Sequence, residues 1–146
     1  MSKYFCLAGL RVGYALAHPE LVESLEKARL PFTINRLAQT AAIQALENLD
    51  YFREICKEIV SERSRLADEL RRIGLRPLPS DANFIMVRLP GGLDSNEFVQ
   101  ELASKGIIVR SLKGLMGLSG EFFRVTVGTR EESEKFIKMC EAILSR

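Results

Sequence analysis

Phe122-Phe123-Arg124-Val125-Thr126-Val127-Gly128-Thr129-Arg130-Glu131-Glu132 is the stretch in which two structural periods meet. In an extended chain, side chains alternate between faces, so Phe123, Val125 and Val127 share one face while Phe122, Arg124 and Thr126 share the other. Gly128 then interrupts the alternation, and Thr129 and Glu132 stand at the spacing of a reciprocal helix cap. Beyond them Phe136, Ile137, Cys140, Ile143 and Leu144 fall on one helical stripe. An apolar strand face followed at once by an apolar helix stripe predicts a helix laid on a sheet.

Working back from that point, Ser111 to Gly120 is a glycine-rich loop and Ile107 to Arg110 a short strand. Asp94 with Glu97 is a D-x-x-E variant of the same cap, opening a helix through Phe98, Val99 and Leu102 that Gly106 closes. Asn83 to Leu89 is a further strand. The order after residue 75 is therefore β-α-β-β-α, a small α/β subdomain. Before it, Phe52, Ile55, Ile59, Leu66, Leu70 and Ile73 form the stripe of an amphipathic helix of about six turns. Leu37, Ala38, Ala41, Ala42, Ala45, Leu46 and Leu49 mark another helix, and Pro19-Glu20 opens a third that carries Leu21, Val22, Leu25 and Ala28 until Pro31. Arg11 to Ala17, apolar and bounded by Gly9 and Pro19, suits a buried strand. The expected organisation is residues 1–50, a connecting helix over 51–74, and the subdomain over 75–146.

Composition narrows the function. The chain is 47% hydrophobic and 27% charged, with 21 basic and 19 acidic residues spread along its length, giving a net charge of +2. No concentrated basic tract points to nucleic acid or a membrane surface, so neither is expected as a partner. Cys6, Cys56 and Cys140 lack metal-ligand spacing, and the single imidazole, His18, stands where a helix begins, so no metal is expected. Free thiols, no long apolar run and no signal-peptide block at the amino terminus lead to an expected cytoplasmic location.

Two pairs of residues could carry chemistry. A lysine amine, Lys3, lies eight residues before a guanidinium, Arg11; the first can form a Schiff base with an aldehyde and the second can hold a phosphate bidentately. Such pairs also arise by chance, and a terminal lysine with a strand-end arginine is an equally ordinary arrangement. Arg124 shares its strand face with aromatic neighbours and needs either an anion or open water. Arg110, ending the preceding strand, could converge with it on a carboxylate or phosphate.

Ser2-Lys3-Tyr4-Phe5-Cys6-Leu7-Ala8-Gly9-Leu10-Arg11-Val12-Gly13 resembles the S-K-x-F-x-L-A-G-L-R-x-G signature of fold-type I aminotransferases, which depend on pyridoxal phosphate. Phe123 to Glu132 is similar to the L-R-[IV]-[ST]-[IV]-G-T-x-E-E segment of the histidinol-phosphate type. The two stand in the right order, and the likeness runs through Ala82-Asn83-Phe84-Ile85 and Gly106 to Arg110. It implies that Lys3 links to the cofactor and shuttles the substrate proton, and that Arg11, helped by Ser2, holds the cofactor phosphate. It further implies that Arg124 and Arg110 grip the acidic group of a small substrate, and that Asn83 lines the same cleft. The reaction implied is amino transfer between histidinol phosphate and 2-oxoglutarate, in histidine biosynthesis.

In that family more than half the chain precedes the lysine and supplies the phosphate-cupping loop, the ring-stacking aromatic residue, the asparagine and the aspartate facing the pyridinium nitrogen. This chain is therefore expected to be the carboxy-terminal portion of the fold, one large-domain strand with helices and the small subdomain, and to be inactive alone. Another class I/II aminotransferase, a related phosphate-recognising decarboxylase and a non-catalytic remnant are the alternatives. The lone strand at 11–17 should be disordered, refolded against the helices of residues 19–73, or paired with another chain, with self-association favoured and a separately encoded amino-terminal half as the other partner.

Overall fold

The computed structural model describes residues 1–145. The chain divides into two compact units, Met1–Cys56 and Lys57–Arg146. A 3-10 turn, Ala8–Leu10, is followed by α1 (Pro19–Ala28), α2 (Arg36–Glu47) and α3 (Leu49–Arg72), within which the division falls. Then come β1 (Arg76–Pro77), β2 (Phe84–Arg88), α4 (Ser95–Ser104), β3 (Arg110–Ser111), β4 (Phe122–Thr126) and α5 (Arg130–Leu144).

The first unit is helical and thinly cored. Phe5 is buried, with its ring 5.1 Å from that of Phe52 in edge contact. On α2 the buried positions are Ala38 and Ala45, and the Asn35 side chain caps the helix by accepting from the Ala38 N–H at 2.8 Å. On α1 nothing is buried, and its stripe of Leu21, Val22 and Leu25 is exposed. The expected strand from Arg11 to Ala17 is not formed: Arg11 ends the 3-10 turn and residues 12–18 carry no regular structure. A strand requires a ladder for its amides. Every described strand belongs to the second unit, and Tyr14 and Leu16 stand 65% and 91% exposed.

The second unit is the α/β element that the sequence predicts, with one strand more. Its sheet is antiparallel throughout, in the order β1-β2-β4-β3. β1 has only two residues, one a proline, and so leaves no periodic signal in the sequence. Ile85, Val87, Phe123 and Val125 form the inner face, packed with Phe98 and Leu102 of α4, Phe136, Ile137 and Cys140 of α5, and Leu66 and Leu70 of α3. The strand expected over 107–110 is displaced to Arg110–Ser111. Ile107 is held by a bond from its N–H to the Leu102 carbonyl, which closes the end of α4, and Ile108 points out, 91% exposed.

Both predicted caps lie where expected, but only one is reciprocal. At α5 the Thr129 hydroxyl accepts from the Glu132 N–H while the Glu132 carboxylate accepts from the Thr129 N–H. At α4, Asp94 accepts from the N–H groups of Asn96 and Glu97 at 2.8 and 3.2 Å. Among the described residues no helix is long and apolar enough to cross a membrane, and no group of side chains is arranged to hold a metal ion.

Removing Phe123, which has no exposed surface, leaves a cavity between sheet and helices. Phe123→Ala is expected to destabilise the second unit by about 3–5 kcal/mol, against about 0.5 kcal/mol or less for Ile108→Ala, in urea unfolding followed by circular dichroism. Thiol titration checks the same core: Cys6, exposed, reacts first, whereas Cys140, whose thiol burial pushes well up, reacts only on unfolding.

Candidate functional site

The candidate residues divide between the units, Ser2, Lys3 and Arg11 in the first and Asn83, Arg110 and Arg124 in the second. Lys3 and Ser2 are exposed in a turn where the Lys3 carbonyl accepts from the Cys6 N–H at 3.2 Å. Cys6 and Arg11, at φ of 56° and 53°, bracket the 3-10 turn in the left-handed region. For residues with side chains that conformation is strained, by about 1–3 kcal/mol each. Arg11 in addition donates from one guanidinium nitrogen to the Ala8 carbonyl at 3.0 Å. The segment with the amine and the guanidinium is therefore a tight local turn, with the Lys3 side chain facing solvent.

In the second unit the antiparallel register sets Arg110 directly opposite Arg124. Directly paired residues present their side chains on the same face of a sheet. This is the face away from the helices, because the flanking Phe123 and Val125 point into the core. The guanidinium of Arg124 lies over the ring of Phe84, 4.9 Å from its centre, which fixes its direction while leaving its donors open. Among the described residues neither arginine makes an ion pair, so the convergence expected from sequence has the charge and donor count for an oxyanion. Asn83 precedes β2, and its main-chain carbonyl accepts from Val127 N–H at 2.9 Å, pinning the strand ends.

The loop between β3 and β4 is anchored by groups that the sequence did not single out. Lys113 bridges the carboxylates of Asp94 and Glu121, the latter at 3.3 Å. Glu121 also accepts from the Ser95 N–H at 2.7 Å, and the Ser111 hydroxyl donates to Asn96 at 2.6 Å. Ser111 is the neighbour of Arg110, so this network ties the arginine-bearing edge to the start of α4. The Lys113 hydrogen bond holds Asp94 below the usual carboxylate range, and hydrogen bonds from Ser95 do the same for Glu121. The sequence signal was available in charge order alone, but 19 and 8 residues separate Lys113 from its two acids.

Residues 1–139 match the model of the aminotransferase class I and II family. Histidinol-phosphate aminotransferase 2 of Archaeoglobus fulgidus is 45% identical over 143 residues, covering 97% of this chain and 40% of that protein. Among solved structures, histidinol-phosphate aminotransferase from Sinorhizobium meliloti in complex with pyridoxal-5'-phosphate superposes with a TM-score of 0.84 at 31% identity, over 99% of this chain and 40% of that one. A decarboxylase from Sulfurospirillum multivorans superposes with a TM-score of 0.85 at 28% identity, over 94% of this chain and 40% of that one. The chain thus spans about 40% of the length of the relatives it matches.

The anchoring network carries a sign in pH. A carboxylate held low in the folded state stabilises above its unfolded value, about 4, and that contribution is lost as pH falls through the folded values. Stability of the second unit is expected to be level from pH 7 to about 5 and to fall below about 4, with a flatter acid limb in Asp94→Asn, measured by thermal melts across pH.

Proposed function

We propose that this chain, which belongs to the class I and II aminotransferase family, contributes the carboxy-terminal share of a histidinol-phosphate-type aminotransferase. The reaction is amino transfer between histidinol phosphate and 2-oxoglutarate. The observation that carries the reading is the Arg110–Arg124 pair, set opposite each other on the sheet face away from the helices. Two forked guanidinium groups recognise a phosphate or carboxylate bidentately, which suits substrates that all carry an acidic group. Thr126 and Phe84 border the pair in the register, and Asn83 at the strand end is assigned to the same cleft.

The donor set of the first unit fits pyridoxal phosphate in kind. Lys3 offers an exposed amine to the aldehyde carbon, while Arg11, with one guanidinium nitrogen engaged on Ala8, and the Ser2 hydroxyl offer donors to the phosphate. When bound, the cofactor supplies an electron sink for the bond broken at the substrate's amino-bearing carbon. Lys3, its amine freed when the substrate's amine takes its place, would be the base that takes the proton from that carbon. Arg124 and Arg110 hold the substrate's acidic end.

Contacts to the cofactor ring belong to the portion of the family that precedes the lysine, contributed by a longer chain or a second polypeptide. Lys3, Arg11 and Ser2 alone give few of the contacts a cofactor needs, so binding to this chain alone is weak. A second reading, a phosphate-recognising decarboxylase, is supported by the likeness to the Sulfurospirillum multivorans decarboxylase; it uses the same lysine and arginines with loss of carbon dioxide.

Borohydride trapping with pyridoxal phosphate, followed by peptide mass mapping, is expected to label Lys3 of this chain no more than its other exposed lysines. Adding a polypeptide matching the preceding portion of the Archaeoglobus fulgidus relative is expected to make labelling selective for Lys3 and to start transfer from histidinol phosphate. That transfer is lost in Lys3→Ala and reduced by about two orders of magnitude in kcat/KM in Arg124→Ala. Selective labelling and transfer by the chain alone would overturn its dependence on a partner portion, and release of carbon dioxide with histidinol phosphate inert would move the assignment to the decarboxylase.

A further inference from the structure

The open face of the sheet carries more positive charge than one substrate group needs. Its register places Arg76 opposite Arg88, and Arg88 opposite Phe122, two ladder rows away from Arg110, Arg124 and Met86. All four arginines therefore share the face, and no acidic residue is paired into it. The arginines of α3 and α5 behave differently. Every arginine of α3 and α5 is matched with a carboxylate: Arg53 with Asp50, Arg63 with Asp81, Arg65 with Glu62, Arg71 with Asp68, Arg72 with Glu69 and Arg130 with Glu134. Among the described residues the four sheet arginines have no such partner.

Arg76 and Arg88 are like charges set directly opposite each other, an arrangement that destabilises a strand pair. Arg88 is nevertheless held in place. Its guanidinium carbon lies 5.8 Å from the centre of the Phe122 ring. Gly120, at φ +116°, makes room beside it: a Cβ there would stand 3.1 Å from the Phe122 ring, 3.7 Å from Arg88 Nε and 3.8 Å from Nη2. A bare backbone on one side and an aromatic face on the other orient the guanidinium without using its donors.

We propose that Arg76 and Arg88 form a second oxyanion site, and that the sheet face takes a small molecule with two acidic groups, a phosphate and a carboxylate. Arg88 and Arg124 are diagonal neighbours, about 7–8 Å apart at the backbone, a separation that a three-carbon phosphorylated acid bridges with the reach of the side chains. The charge complement decides between occupants: four guanidinium groups with no internal acid match a dianion or trianion, whereas a single acidic group leaves one pair unneutralised. The inference rests on the proposed function only for the role given to Arg110 and Arg124.

The test uses the 146-residue chain and two probes, 3-phosphoglycerate and glycerol 3-phosphate, which differ in the carboxylate. Binding is followed by calorimetry and by the NMR signals of arginine Nε–H. The expected result is at least a tenfold tighter Kd for 3-phosphoglycerate, with Arg88 and Arg124 signals both shifting. Arg88→Met and Arg76→Met are expected to abolish that advantage and leave glycerol 3-phosphate affinity unchanged, while Arg124→Met weakens both probes. Arg88→Lys, which keeps the charge and the stem, retains part of the advantage and controls for loss of the Phe122 contact. Equal affinities in the parent chain, or an advantage that survives in Arg88→Met and Arg76→Met, overturns the second site and leaves the Arg110–Arg124 reading standing. An advantage lost at Arg88 with binding indifferent to Arg124→Met keeps an anion site at Arg76–Arg88 but overturns both the two-group ligand and the substrate role of the Arg110–Arg124 pair.

Discussion

Phe123 attaches both helices of the second unit to its sheet. Its ring centre lies 5.3 Å from that of Phe98 on α4 and 6.3 Å from that of Phe136 on α5, and no part of it reaches solvent. Burying an aromatic ring of this size is among the larger single contributions available to a domain this small. Because strand residues alternate, committing Phe123 inward commits Arg124 outward. The same step that builds the core thus aims the guanidinium, and β3, joined to β4 by its register, brings Arg110 beside it. Site and core are two faces of one pleat.

What could be read from the sequence followed the strength of the local period. α5, with a five-residue apolar stripe and a reciprocal Thr129–Glu132 cap, and β4, with its three inward apolar residues, carry their own signals. β1 does not: two residues held by pairing with Arg88 and Val87 owe their conformation to the partner strand. Ile107 to Val109 looks like a strand by composition, yet the bond from Ile107 to Leu102 spends that segment on closing α4. The apolar run from Arg11 to Ala17 fails as a strand for the opposite reason, having the right residues and no neighbour to complete the ladder. Lys3, Arg11, Arg110 and Arg124 were legible because motif and order pointed to them; Arg76 and Arg88 were not, because only the register reveals that they face the same way.

Charge is managed differently on helix and sheet. On α3, salt bridges at a spacing of three residues neutralise arginines locally, as with Arg71 and Asp68, and such exposed pairs add little stability. Their effect is to leave the helix surface electrically bland. Arg76, Arg88, Arg110 and Arg124, without a carboxylate partner among the described residues, stand on the sheet face away from the helices, where Phe84 and Phe122 orient two of them. A chain with a net charge of only +2 thereby sets four arginines on one face of its sheet without any basic tract in its sequence.

Pro77 has a bearing on how this sheet behaves among its own copies. The Leu78 N–H donates inward to Met86, so the position before it turns its amide outward, and that position is a proline with no hydrogen to offer. One border of the sheet is therefore a two-residue strand stripped of its outward donor, and the other, β3, is equally short. Neither border gives an incoming strand the run of amides that fibrillar stacking requires. The second unit can thus set four arginines on one sheet face and still resist growing into an aggregate by strand addition.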